Sequence, residues 1–203
     1  MKRIILLFAL ILNLSLQAQC WESVSSGQFH TLGLRSDGSL WAWGNPNTYA
    51  LGIDILTTNY PYGTFHVPRQ VGNDYNWKAV YASSNNSFAF KTDGTLWGWG
   101  GGVIFQANQI TPIQISADTN WQTLSVGINH QLAIKSDGTL WAWGNNAYGQ
   151  IGDGTRINNN YYTPLQIGND TDWKWISAGS SRSYAIKTDG TLWAWGGIII
   201  QGI

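Results

Sequence analysis

The chain has 203 residues, enough for one sizeable domain or a short array of repeats. Its eleven basic residues balance eleven acidic ones, which excludes the positive field that draws nucleic acid or anionic lipid. Charged residues make up only 11% of the chain, against 24 glycines and 13 tryptophans, a composition of turns and flat rings that favours an all-β architecture over a helical one.

At the N-terminus, Lys2 and Arg3 precede an apolar run from Ile4 to Leu16 that is broken only by Asn13 and Ser15, and the small Ala18 follows it. The run is short for a membrane span, which needs about 20 apolar residues. Residues 1–18 read as an export signal cleaved after Ala18, so the mature chain is expected outside the cell or at its surface. Cys20 offers a competing route, acylation and membrane anchoring, which the bulky Gln19 before it disfavours. After cleavage Cys20 is the sole cysteine, which excludes an intramolecular disulfide.

From residue 19 onward the sequence repeats. Ser36-Asp-Gly-Ser-Leu-Trp-Ala-Trp-Gly44 returns almost unchanged at 92–100, 136–144 and 188–196, and a tryptophan stands 15 positions before each copy, as Trp21, Trp77, Trp121 and Trp173. A Pro-x-Gln-(Val/Ile) run begins nine residues before three of those tryptophans, at Pro68, Pro112 and Pro164. Only the stretch from the closing glycine to the next proline varies, at 24, 12 and 20 residues. Rigid modules with one elastic connection place all insertions at the same corner of each module, so in an array they gather on one face. The proline runs frame modules at about 21–67, 68–111, 112–163 and 164–203.

Each module contains a hairpin. Asp-Gly between β-favouring runs predicts a tight type I′ turn at Asp37-Gly38, Asp93-Gly94, Asp137-Gly138 and Asp189-Gly190. With Asp137-Gly138 at the centre, Ile134 is expected to face Trp141, Ala133 to face Ala142 and Leu132 to face Trp143. One sheet face then carries large pairs and the other only Gly and Ala, so that blades nest bulky face on shallow face. With the Trp-x-x-(Val/Leu/Ile) and Pro-x-Gln stretches as two further strands, four strands per repeat match a β-propeller blade.

The string Gly127-x-x-His130-x-Leu-Ala-Ile-Lys-Ser-Asp-Gly-Thr-Leu-Trp-Ala-Trp-Gly144, continued by Asn145-Asn-Ala-Tyr-Gly-Gln-Ile-Gly-Asp-Gly-Thr155, resembles the regulator of chromosome condensation repeat. The resemblance implies an all-β, usually seven-bladed β-propeller that serves as a protein-binding ring. Four copies correspond to an open arc of such a ring, completed by self-association or by C-terminal blades missing from this chain. The Gly-Gln-Ile-Gly loop is clear at 149–155, blurred at Tyr49-Ala-Leu-Gly-Ile53 and absent after the second copy. The family's His is kept as His30 and His130, with Asn86 and Arg182 at the other two positions.

Candidate chemistry is sparse. Twelve of the 13 tryptophans occupy repeated positions, Trp175 being the other, and such recurrence indicates blade packing over a sugar-binding ladder. The four turn aspartates read as parts of their own hairpins. His30 and His130, at one position in separate blades, are expected to hydrogen-bond within their blades. Asp153, Asp170 and Asp172 make at most a weak surface calcium site, so neither a metal nor a cofactor is expected. No nucleophile motif, phosphate loop or convergent acid–base set is present, which argues against an enzyme. Binding is left to the long gaps 45–67 and 145–163, whose Tyr60, Tyr62, Phe65, Tyr148, Tyr161 and Tyr162 offer contact area with adaptable polar tips. The reading is a secreted, non-catalytic scaffold with an unidentified protein partner, no nucleic acid, and a membrane only if Cys20 is lipidated. A carbohydrate-binding or carbohydrate-active propeller is the alternative. Exchange activity on a nuclear GTPase does not suit an exported chain of zero net charge.

Overall fold

A computed structural model describes residues 20–54, 65–101, 105 and 107–197. Residues 1–18, expected to be an export signal, fall outside the described residues. Four antiparallel meanders follow one another. The first holds β1 (Trp21–Ser26), β2 (His30–Arg35), β3 (Leu40–Gly44) and β4 (Phe65–Gln70), with a short 3-10 turn at Pro46–Thr48. The second holds β5 (Trp77–Ser83), β6 (Asn86–Lys91), β7 (Leu96–Gly100) and β8 (Gln109–Ser116), and the third β9 (Trp121–Val126), β10 (His130–Lys135), β11 (Leu140–Asn145) and β12 (Asn160–Gln166). The fourth has three described strands, β13 (Trp173–Ala178), β14 (Arg182–Lys187) and β15 (Leu192–Gly196). These are β-propeller blades set side by side in an arc, and the described sheets do not close a ring. The Pro-x-Gln runs lie in the fourth strands and so complete the preceding blade, which puts the blade boundary after each run and not before Pro68, Pro112 and Pro164.

The hairpin register differs by one residue from the type I′ expectation. Ile134 pairs with Leu140, Ala133 with Trp141 and Leu132 with Ala142, and the other three blades pair alike. The Gly138 N–H donates to the Lys135 carbonyl at 2.9 Å, and only Gly138 is left-handed, at φ 78°, so the loop is a three-residue turn ending in a glycine bulge. The aspartate's side chain explains the choice. Asp137 Oδ1 accepts from the Thr139 N–H at 3.0 Å and from its hydroxyl at 2.6 Å, which holds Asp137 on the ordinary side of φ.

The slip regroups the faces. The first tryptophan of each hairpin now stands opposite a residue without bulk, Trp41 opposite Gly33, and Trp97, Trp141 and Trp193 opposite Ala89, Ala133 and Ala185, while the second stands opposite a polar residue, Thr31, Ser87, Gln131 or Ser183. The other face carries aliphatics such as Leu132, Ile134 and Leu140. Blades therefore stack aliphatic face on tryptophan face. Leu32, Leu34 and Leu40 meet Trp77, Val80 and Trp99; Leu132, Ile134 and Leu140 meet Trp173 and Ile176. Between the second and third blades the corresponding face presents Phe88, Phe90 and Leu96 to Trp121, Leu124 and Trp143. Main-chain bonds tie the same junctions, as from Trp77 N–H to the Gly38 carbonyl and from Trp173 N–H to the Gly138 carbonyl, each 3.2 Å.

Candidate functional site

The blades have two unlike ends. The Asp-Gly turns share one end. At the other, the turns between first and second strands meet the variable loops between third and fourth: the Asn45 N–H donates to the Phe29 carbonyl and the Asn145 N–H to the Asn129 carbonyl, each at 2.8 Å, and the Gly101 N–H donates to the Asn85 carbonyl at 3.0 Å. All the insertions thus emerge at one end.

The residues most suggestive of chemistry are engaged in scaffold. The relay of the third blade repeats in the first and second: Asp37 and Asp93 accept from Ser39 and Thr95, whose hydroxyls accept from the indole N–H of Trp41 and Trp97 at 2.8 Å. Asp189 accepts from Thr191 in the same way. Hydrogen bonds from the serine or threonine hold all four carboxyls below their ordinary range. Gly38, Gly94 and Gly138 also touch the next blade; a Cβ on Gly138 would lie 1.9 Å from the Thr171 carbonyl oxygen. The cation preceding each turn caps two tryptophans, as where Lys135 Nζ lies 3.6 Å from the Trp141 ring centre and 4.6 Å from that of Trp121, 2.7 Å from Asp118. Asp170 and Asp172 both hold Lys187, at 2.7 and 3.1 Å, while Asp153 accepts from Thr155 and Tyr161. The three carboxylates weighed as a calcium site are therefore committed separately.

His30 and His130 bond between blades, not within them. Each lies at the start of a second strand, where the next blade packs. His30 Nε2 is 2.8 Å from the Ser87 hydroxyl, and His130 Nε2 is 2.8 Å from that of Ser183. The serine hydroxyls donate onward at 2.7 Å to the carbonyls of Ala50 and Gln150, so the imidazoles carry the proton on Nε2. Burial pushes both histidines down to about 4. The same two carbonyls accept from Trp99 and Trp195 Nε1 at 2.9 Å. Gly52 and Gly152 lie against those indoles, where a Cβ would come within 2.8 and 2.6 Å of Nε1. The first loop, blurred in sequence, is thus clamped to the next blade as the third loop is.

The predicted binding residues divide. Tyr60 and Tyr62 lie outside the described residues. Phe65 is corrected: it opens β4 opposite Gly44, is only 8% exposed, and packs in the first inter-blade core beneath Arg69. Tyr161 is half-buried and donates to Asp153 Oδ2 at 2.5 Å, which raises its own pKa. Burial opposes the charge on Asp153, but the bonds from Tyr161, Thr155 and Asn146 outweigh it and keep the carboxyl low. Tyr148 and Tyr162 do stand exposed. Phe29, Tyr49 and Ile128 join them at the same end, all five between 38% and 50% exposed. Those three were missed. Tyr49 occupies the place of Gly149 in the clamped loop and adopts the left-handed backbone at φ 60°. Phe29 and Ile128 fill the variable positions of the Gly-x-x-His turns, where an apolar residue beside a tight turn was the available signal.

Two family models described as "Regulator of chromosome condensation (RCC1) repeat" match the chain, one over residues 137–186 and one over 21–50 and 121–150. The repeats are of the regulator of chromosome condensation type. Protein RCC1 of Candida albicans is 27% identical over 88 residues, covering 39% of this chain and 18% of that protein. Human WBSCR16 superposes with a TM-score of 0.75 at 20% identity, over 87% of this chain and 47% of that one. A chain in the crystal structure of Kap60 bound to yeast RCC1 (Prp20) gives 0.75 at 22%, over 88% and 44%. Prp20p from Saccharomyces cerevisiae, whose structure was described with its binding to Gsp1p and histones, gives 0.73 at 24%, over 86% and 44%. At these identities the structural likeness is one of fold. The chain spans less than half the length of each.

Proposed function

We infer that this chain is an exported, non-catalytic propeller segment whose loop end binds another protein. The observation that carries the reading is the division of apolar residues. Apart from Trp21 and Trp193, half exposed on the two end blades, the recurrent tryptophans are spent on blade packing, while Phe29, Tyr49, Ile128, Tyr148 and Tyr162 stand exposed at the one end where sequence and loop length vary. Tyr49 adds weight. A non-glycine residue in the left-handed region costs of order 1 kcal/mol or more and is tolerated where it serves a purpose. Aromatic anchors on a rigid frame suit protein recognition, because little rotamer freedom is lost on contact. Related propellers are described with bound or tested protein partners, in accord with this role.

The test is crosslinking on the surface of the source cell with a photoreactive residue at position 148, and at position 75 of the opposite end as the control. One dominant protein adduct from 148, reduced about tenfold or more by Phe29→Ser with Ile128→Ser, is expected, that loss corresponding to about 1.4 kcal/mol or more of binding energy. Equal adducts from both ends, or a glycan-array signal abolished by Tyr148→Ala, would replace this reading, the latter by carbohydrate binding.

A further inference from the structure

The three seams between blades share one design, and the middle seam departs from it. At the first and third, a histidine opening the second strand meets a serine of the next blade. That serine and a tryptophan indole both donate to one loop carbonyl. At the middle seam the histidine, serine and tryptophan places hold Asn86, Gln131 and Trp143. Register fixes the equivalence: Asn86 stands opposite Gly100 as His30 stands opposite Gly44, and Gln131 opposite Trp143 as Ser183 stands opposite Trp195.

Asn86 is 3% exposed, and Gln131 and Trp143 are fully buried. Among the described residues, Asn86 Oδ1, both polar atoms of the Gln131 amide and Trp143 Nε1 nevertheless have no hydrogen-bond partner. Such groups lose their hydration on folding without return, which is why buried polar atoms are rarely left unpaired. Their counterparts at the other two seams, the hydroxyls of Ser87 and Ser183 and the indoles of Trp99 and Trp195, are all bonded.

Bulk accounts for the difference. Phe88 occupies the place of Leu32 and Leu132 on the stacking face. Tyr81 occupies that of Ser25 and Ser125, whose hydroxyls accept the N–H of Ala82 and Ala178 across the other seams at 2.8 and 2.9 Å. With these rings between the blades, β5 and β6 approach β9 less closely than the corresponding strands approach one another at the first and third seams.

We propose that the middle seam is a binding site for ordered water, which takes the part that the serine hydroxyl and the loop carbonyl play elsewhere. The unpaired atoms define the ligand. Trp143 Nε1–H and the Gln131 Nε2 hydrogens are donors, while Gln131 Oε1 and Asn86 Oδ1 are acceptors, the complement of water's lone pairs and hydrogens. A buried water typically makes about three hydrogen bonds to otherwise unpaired groups of this kind. An apolar occupant would satisfy none of the four atoms, and an ion would find no charged partner among them. The water joins two blade pairs, one carrying Phe29 and Tyr49 and the other Ile128 and Tyr148.

The experiment is NMR cross-relaxation between water and the isotope-labelled full chain, which needs no variant. Cross-peaks to water with NOE and ROE of opposite sign, the signature of a held water as against proton exchange, are expected at Trp143 Nε1–H and at the Gln131 amide. Trp99 and Trp195 Nε1–H, bonded to carbonyls, should show none. Absence of the signal at Trp143 overturns the proposal, as does an equal signal at all three indoles. Urea denaturation of Gln131→Met is the second measurement. Loss of a partner to the water should lower the midpoint; a raised midpoint would mean that the amide had been buried dry, and would equally overturn the proposal.

Discussion

Lowering the pH from 7 to 5 should destabilise this chain well before its turn aspartates titrate. His30 and His130 sit between blades at 3% and 0% exposure, and burial holds each near 4 against an ordinary value of 6.5. Above 6.5 the imidazoles are neutral folded or unfolded, and the packing they support is at full strength. Between 6.5 and 4 the unfolded chain takes up protons that the folded chain refuses, so stability falls as pH falls. From pH 7 to 5 the difference comes to about 1.8 kcal/mol per histidine, roughly 4 kcal/mol for the pair. The turn aspartates, held below 3.8, begin to weaken the fold only at lower pH, which separates the two windows. Urea denaturation at pH 7 and 5 gives the measurement, with His30→Asn/His130→Asn as the reference, since Asn86 already occupies the same repeat position. The wild type should lose most of those 4 kcal/mol and the double variant little. Equal losses in both proteins would refute the assignment of the effect to the buried pair.

Three further perturbations test the packing. Gly138→Ala places a Cβ 1.9 Å from the Thr171 carbonyl at φ 78°, whereas Gly190→Ala at φ 88° meets nothing within 4 Å; the first should cost about 3 kcal/mol or more and the second about 1, read as urea midpoints. Ser183→Ala removes the hydroxyl shared by His130 and the Gln150 carbonyl; it leaves the buried His130 Nε2–H unpaired and the carbonyl with Trp195 as its remaining donor, a loss of about 1–3 kcal/mol with exchange rising first in residues 145–155. Lys135→Met keeps the aliphatic stem over Trp141 but not the charge, and should lower stability by about 1–2 kcal/mol in thermal unfolding.

Repetition made the architecture legible from the sequence, because fixed intervals between tryptophans, turns and prolines admit few structures besides stacked four-stranded units. The register was not legible from the turn alone. Asp-Gly suits a type I′ turn and equally a three-residue turn closed by a glycine bulge. The choice falls to the Ser or Thr two residues after the aspartate, whose N–H and hydroxyl both bind the carboxyl. A volume argument gives the same answer: Trp141 needs a partner without bulk, and Ala133 supplies one where Ile134 would not.

The site was half legible for a related reason. The first loop looked degenerate because its likeness to the third resides in backbone: Ala50 and Gln150 contribute carbonyls, and any side chain can carry a carbonyl. The histidines' partners lie 57 and 53 residues away in sequence, in the neighbouring blade, so no local pattern announces them. Phe65 illustrates the converse, a loop-length argument counting as exposed a residue that the fourth strand carries into the core. The lesson concerns which residues are free to act. In a stacked repeat, a side chain present in every copy is committed to its own or the neighbouring copy, and function is left to positions whose backbone is fixed while their side chains vary. Phe29, Tyr49, Ile128 and Tyr148 meet that condition, since each is exposed on a turn or loop tied to the blades by main-chain hydrogen bonds. They can change from copy to copy without disturbing a blade, which is the freedom a recognition surface needs.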